Sequence, residues 1–105
     1  MGKDIESLTM AMHQFVTSKG WYLDDSPRPQ TPGNIAKSLV LESAEVLEHF
    51  QWQETDFNKE NLASELADVA LYLMQLAQIC DINLEKAILN KLDENYNRQW
   101  DSKIR

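Results

Sequence analysis

The chain is 105 residues long, with 43% hydrophobic and 26% charged residues, which excludes the disordered class and fits one domain over residues 1–105. The formal net charge of −7, with no basic patch, argues against a nucleic acid polymer as partner. An anionic phosphate substrate would need a cation beside so acidic a protein, so a metal ion belongs to any phosphate-binding hypothesis.

Four helices are predicted from apolar residues that recur every three or four positions. They cover, in order, about residues 4–19, 35–52, 59–80 and 84–100. Gly20 ends the first helix, and a proline-rich loop follows over about 21–34. Thr31 or Asn34 is expected to cap the second helix, and Asn83 the fourth. Since no strand-like alternation is present and the core is modest, we predict an all-α four-helix bundle completed by oligomerisation.

Two matching acidic pairs lie on the second and third helices. Glu42-Ser43-Ala44-Glu45-Val46 and Glu65-Leu66-Ala67-Asp68-Val69 both read Glu-x-Ala-acid-Val. Residues three apart share a helix face, and each pair lies at the edge of an apolar arc. If the two helices pack antiparallel, four carboxylates surround one partly buried spot. One such pair usually marks a solvated face, but two matching pairs favour a site.

Clustered carboxylates need a compensating cation when they lose water. Oxygen-only ligands on rigid helices suit Mg²⁺, with Mn²⁺ as a possible substitute. A metal there would coordinate phosphate oxygens, polarise the phosphorus and lower the pKa of an attacking water.

Beyond these pairs the sequence resembles the MazG-like nucleotide pyrophosphohydrolases of the all-α NTP pyrophosphatase superfamily. Their pattern is Glu-x-x-Glu, a spacer and Glu-x-x-Asp. Leu47-Glu48-His49-Phe50-Gln51-Trp52 resembles the Leu-x-x-Phe-Gln-Trp of the dCTP-pyrophosphatase-like branch, and 65–73 resembles its Glu-Leu-x-Asp-Val-x-x-Tyr-Leu. Lys91 and Asn95 resemble its final Lys-x-x-x-Asn. The resemblance covers about residues 21–95.

The resemblance implies a Mg²⁺-dependent enzyme that converts a (deoxy)nucleoside triphosphate to the monophosphate and pyrophosphate. Such an enzyme would clear surplus or modified nucleotides, with dCTP-like pyrimidine deoxynucleotides favoured. A homodimer or homotetramer is expected, in which a neighbouring subunit can supply base-binding aromatics. The implied metal-binding and catalytic residues are Glu42, Glu45, Glu65 and Asp68.

The resemblance also implies a substrate-binding set. Lys91 would approach the phosphates by charge and Asn95 by hydrogen bonding. Trp21 and Trp52 would hold the base, and Tyr72 would touch base or sugar. Core packing is an ordinary alternative for the three aromatic residues, and a surface position is one for Lys91.

Some features depart from the family pattern or leave alternatives open. The loop over 24–33 is longer and richer in proline than the link of this branch, which bears on base specificity. Trp100, where a Tyr-Pro ending is expected, is interpreted as packing. Glu48 could join the metal ligands, but a solvated or indirect role is the preferred interpretation. His49, four residues after Glu45, could also be a ligand, but no metal-binding role is preferred because four carboxylates already suffice.

The sequence admits three other interpretations of function. A di-iron bundle needs Glu-x-x-His on two helices, and neither His13 nor His49 follows a glutamate at that spacing. A non-catalytic helical module for oligomerisation or partner binding explains the apolar faces but not the paired acids. A relative that hydrolyses dUTP specifically differs only in substrate.

The single cysteine, Cys80, excludes an intrachain disulfide and is expected to be a buried thiol. No apolar run is long enough for a membrane span, and the N-terminus has no signal-peptide pattern. No membrane partner is therefore expected, and the cytoplasm is the predicted compartment.

Overall fold

The computed structural model describes residues 2–98 and contains four helices and no strand in that range. The helices are α1 (Ile5–Ser18), α2 (Pro32–Glu48), α3 (Lys59–Ile79) and α4 (Leu84–Asn97). Helix α3 is central, since it packs against the other three, and α1 also contacts α4. The all-α, four-helix prediction is confirmed. None of these described helices is long and apolar enough to cross a membrane.

Each helix begins at a polar N-cap residue. In all four cases the side-chain oxygen of the cap accepts a hydrogen bond from the backbone amide three residues later, which satisfies one of the unpaired donors of the first turn. The caps are Asp4, Thr31, Asn58 and Asn83. Of the two caps offered for α2, the structure therefore selects Thr31, and Asn83 is confirmed for α4.

Helices α1 and α3 end in the same way, with one residue in the left-handed region. Gly20 has φ 72°, and the Trp21 amide donates to the Val16 carbonyl at 3.3 Å. Asp81 has φ 57°, and the Ile82 amide donates to Ala77 at 2.8 Å. Both are Schellman-type endings, which glycine adopts without strain and which a few polar residues tolerate.

The apolar sequence pattern predicted that helix α2 continues to Trp52, but the helix ends at Glu48. The amides of His49 and Phe50 bond three residues back rather than four, and the Gln53 side chain donates to the His49 carbonyl. This tight turn directs the chain toward α3. Helix α4 is described to Asn97, and the predicted extension to Trp100 lies outside the described residues.

The apolar core of the described chain is small. Its buried apolar residues are Met12, Val16, Ile35 and Ala77. Many large apolar side chains are exposed instead, and they include Val40, Leu41, Leu47, Leu66, Leu89 and Leu92. The prediction of a buried Cys80 thiol is wrong for this chain, because Cys80 is the C-cap of α3 and is exposed.

Candidate metal and nucleotide site

Helices α2 and α3 form the most extensive helix pair, and their acidic pairs influence one another electrostatically. The pKa of Glu42 is raised from 4.5 to about 7. A hydrogen bond with Glu45 is the largest cause, followed by partial burial and then by the charges of Glu45, Asp68 and Glu65. The two helices therefore bring the four predicted carboxylates together, and we call Glu42, Glu45, Glu65 and Asp68 the acidic cluster.

His49 contacts the acidic cluster from the end of α2. Its Nε2 atom contacts a carboxylate oxygen of Glu65, and both side chains are largely buried. The Phe50 ring lies beside His49 and packs against Phe57, with ring centroids 5.3 Å apart. Sequence reasoning gave His49 no direct role, because this contact depends on the turn after Glu48.

The carboxylates are not arranged as a ready-made metal site. Within residues 2–98, no three Asp, Glu, His or Cys side chains are grouped as metal ligands. Instead the Glu65 carboxylate is engaged by His49. The chemistry of the donor set still fits a hard cation, since it consists of carboxylate oxygens whose mutual repulsion a divalent ion would relieve.

A pocket of about 560 Å³ lies next to the acidic cluster. Asp68 and Tyr72 line it from α3, and Trp21 lines it from the loop after α1. The volume is within the range of small-ligand sites, and an aromatic lining with a few polar groups is typical of them. Two residues that were predicted to hold the nucleoside, Trp21 and Tyr72, thus share a cavity with a predicted metal ligand.

The loop between α1 and α2 closes one side of this pocket. Trp21 packs edge-to-face on Phe15, with centroids 5.7 Å apart. The Arg28 guanidinium lies 5.7 Å from the Trp21 ring centroid, a cation–π distance. The loop is tied to α2, because the Asn34 side-chain amide donates to the Pro29 carbonyl at 2.9 Å. The proline-rich segment is therefore an ordered wall of the pocket.

A hydrogen-bonded network that sequence reasoning missed includes two residues of the pocket lining, Gln30 and Gln75. The Gln75 amide donates to Gln30 Oε1 at 2.6 Å and to the Tyr22 hydroxyl at 3.4 Å. Tyr22 in turn bonds to His13 Nδ1 at 2.8 Å, and burial raises the pKa of Tyr22. A signal was present, since Gln75 is seven residues after Asp68 and so lies on the same face of α3 as this predicted metal ligand.

Three predicted substrate-binding residues do not line the pocket in this chain. Trp52 lies in the connection after α2 with 88% of its surface exposed. Lys91 is on the outside of α4, where its Nζ donates to Glu94 at 3.1 Å. Asn95 is half-buried on α4. Helix α4 does not contact α2, so Lys91 and Asn95 are separated from the Glu42–Glu45 side of the cluster.

The fold and the acidic cluster define an all-helical protein with a carboxylate centre between two helices. A model of the MazG-like family matches residues 37–103, which include all four members of the cluster. The match covers more than half of the chain, and the chain belongs to the MazG-like family.

Curated relatives and a solved structure agree with this assignment. The chain is 30% identical to human dCTP pyrophosphatase 1 and 29% identical to the rat protein of that name. Each alignment covers 90% of this chain but 58% of the relative, so the chain spans less than two thirds of their length. The crystal structure of a pyrophosphatase from Archaeoglobus fulgidus DSM 4304 matches with TM-score 0.74 and 31% identity, over 90% of this chain and 91% of that one.

Proposed function

We propose that the protein hydrolyses nucleoside triphosphates, preferably deoxynucleotides, to the monophosphate and pyrophosphate. The observation that supports this most is the acidic cluster, in which carboxylates from two helices lie close enough to raise the pKa of Glu42 to about 7. The hydrogen bond with Glu45 on the same helix is the largest cause of this shift, and the charges of Asp68 and Glu65 on α3 add to it, so the carboxylates are crowded. This is the arrangement expected where a divalent cation binds.

In this proposal Glu42, Glu45, Glu65 and Asp68 hold Mg²⁺, with Mn²⁺ as a substitute. When bound, the ion would neutralise phosphate charge and lower the pKa of a coordinated water. The contribution of this chain is to hold the carboxylates on two rigid helices, and His49 orients Glu65 through their contact.

The pocket beside Asp68 would take the nucleoside. Trp21 and Tyr72 offer aromatic faces for the base or sugar, and the loop over 27–30 forms part of the wall. The names of the curated relatives support dCTP as a substrate. Removal of surplus or modified pyrimidine nucleotides is the corresponding cellular role.

A second copy of the chain would complete the bundle and the substrate site. The exposed apolar residues of α2 and α4 favour a homodimer or homotetramer. In such an assembly Trp52 would contact the base, and Lys91 and Asn95 the phosphates, of a substrate in the pocket of a neighbouring subunit. Light scattering on the purified protein at several concentrations tests the assembly.

Product analysis by ion-exchange chromatography tests the reaction. The protein is incubated with each common dNTP and NTP, in Mg²⁺ and in EDTA. We expect monophosphate and pyrophosphate in equal amounts, in Mg²⁺ only. Release of inorganic phosphate and a diphosphate would contradict the proposed bond cleavage. No turnover in Mg²⁺ or Mn²⁺ would favour a helical module that only oligomerises.

A further inference from the structure

A buried amide forms part of the pocket wall. Gln75 has only 3% of its surface exposed, yet it lines the same pocket as Asp68 and Tyr72. A buried polar group costs free energy unless it is hydrogen bonded. The hydrogen bonds of Gln75 therefore determine which atom of its amide can meet a ligand in the pocket.

The surrounding hydrogen bonds fix the orientation of the Gln75 amide. Gln30 Nε2 donates to the Arg28 carbonyl at 2.6 Å, which leaves Gln30 Oε1 as an acceptor. Gln75 Nε2 donates to that oxygen at 2.6 Å and to the Tyr22 hydroxyl. Both bonds use the amide nitrogen. The group that Gln75 can offer to a ligand in the pocket is therefore its carbonyl oxygen, an acceptor.

The position of Gln75 along α3 matches the far end of a nucleotide. Asp68, Tyr72 and Gln75 are spaced by four and three residues, so they share one helix face. At 1.5 Å per residue, Gln75 is about 10 Å along the helix from Asp68. A nucleotide with its phosphates near Asp68 and its sugar or ring at Tyr72 would bring the edge of its base toward Gln75.

We propose that Gln75 determines base specificity by favouring bases with an exocyclic amino group over their oxo counterparts. This rests on the proposed function, because the pocket must hold the nucleoside. An amino group donates to Gln75 Oε1, whereas a carbonyl at the same place sets two acceptors against each other. Cytosine is then preferred to uracil, and adenine to hypoxanthine.

Gln30 has a separate part in this selection, since it prevents the Gln75 amide from turning over. Without the Gln30 acceptor, the amide can rotate and present its NH₂ to an oxo base. Gln30 thus acts through Gln75 as a positioning residue. Gln30 belongs to the proline-rich loop that lines the pocket, so this loop takes part in setting the specificity.

The test compares kcat/KM for two matched substrate pairs, dCTP with dUTP and dATP with dITP. The wild type should prefer the amino member at least about tenfold, the usual effect of one mismatched buried hydrogen bond. In Gln75→Leu the ratio should fall to within about threefold of one, because only weaker contacts would then distinguish the two bases. Gln30→Met should lower the ratio mainly by improving dUTP, with dCTP turnover retained. Gln78→Leu, an exposed position on the same helix, should keep the wild-type ratio.

Several results would overturn the inference. A wild-type ratio near one, or in favour of the oxo base, contradicts it, and so does an unchanged ratio in folded Gln75→Leu. Circular dichroism and thermal melts check folding, and Gln30→Met alone decides the matter if Gln75→Leu does not fold. If no nucleotide is hydrolysed, the proposed function fails, and calorimetric binding of dCMP against dUMP then tests the base selection by itself.

Discussion

The helix pair α2–α3 and helix α4 differ in how many of their predicted functional residues come together within one chain. The α2–α3 pair brings four carboxylates together and forms one side of a pocket. Helix α4 contributes no buried residue, touches only α1 and α3, and exposes Leu89, Leu92 and Tyr96. The acidic cluster and the pocket beside Asp68 are thus formed within one chain, whereas Lys91 and Asn95 on α4, the residues predicted to bind phosphate, lie outside that pocket.

The largest expected effect comes from neutralising the cluster. Glu45→Gln and Asp68→Asn keep the side-chain shape and remove one charge each. Each variant should lose about a hundredfold or more in kcat/KM, since even indirect partners of a metal cost ten- to hundredfold. Glu60→Gln is the matched control, an exposed acid in the first turn of α3. Equal activity in all three variants would show that the acidic cluster takes no part in the reaction.

The contact between His49 and Glu65 should matter less than the ligands themselves. His49→Leu removes the partner of Glu65 and leaves an apolar side chain next to Phe50. We expect about a tenfold higher Mg²⁺ requirement, as for other residues that orient a metal ligand. The Mg²⁺ dependence of the rate measures this, and His49→Gln should recover part of the loss. An unchanged requirement in His49→Leu would contradict the orienting role.

The pKa of Glu42 predicts how stability depends on pH. Because the folded-state pKa is raised to about 7 from 4.5, the folded chain holds this proton more tightly than the unfolded chain. The resulting stabilisation is complete below pH 4.5 and is lost as the pH rises through 7. In EDTA, the melting temperature should fall over this window relative to Glu42→Gln. Since Mg²⁺ displaces the proton, its stabilising effect should be larger at pH 8 than at pH 5.5.

If Mg²⁺ raised the melting temperature equally at both pH values, metal and proton would not compete for the cluster. Glu60→Gln again serves as the control, because its pH profile should follow that of the wild type.

The smallest effect is expected on α4. Lys91 and Glu94 form an ion pair whose side chains are 61% and 59% exposed. Such a pair contributes at most about 1 kcal/mol, so Lys91→Gln should leave the melting temperature nearly unchanged. If a second copy presents Lys91 to the phosphates, KM should rise in the assembled protein. An unchanged KM would leave Lys91 as a surface residue.

The sequence predicted the fold class because its signals were local. Helix caps such as Asn83 and the left-handed ending at Gly20 depend on neighbours only a few residues away. Periodicity placed each acidic pair on one helix face, and the packing of α2 against α3 brings the charges of the two pairs within reach of Glu42. Features that depend on side chains far apart in sequence were missed.

Those missed features share a physical cause. The contact of His49 with Glu65 requires α2 to end at Glu48, while the apolar pattern ran on to Trp52. The bond between Gln75 and Gln30 joins residues 45 positions apart across a loop whose course no periodicity fixes. Cys80 looked buried because its neighbours are apolar, but as the helix C-cap it is exposed.

Binding of Mn²⁺, followed by the loss of its free-ion electron paramagnetic resonance signal, tests the central claim most directly. The measurement needs no substrate and no assumption about the base. The wild type and Glu60→Gln should bind Mn²⁺ and release it to excess Mg²⁺, and Glu45→Gln and Asp68→Asn should bind far more weakly. Equal binding by all four proteins, or none by the wild type, would contradict a metal site formed by the acidic cluster.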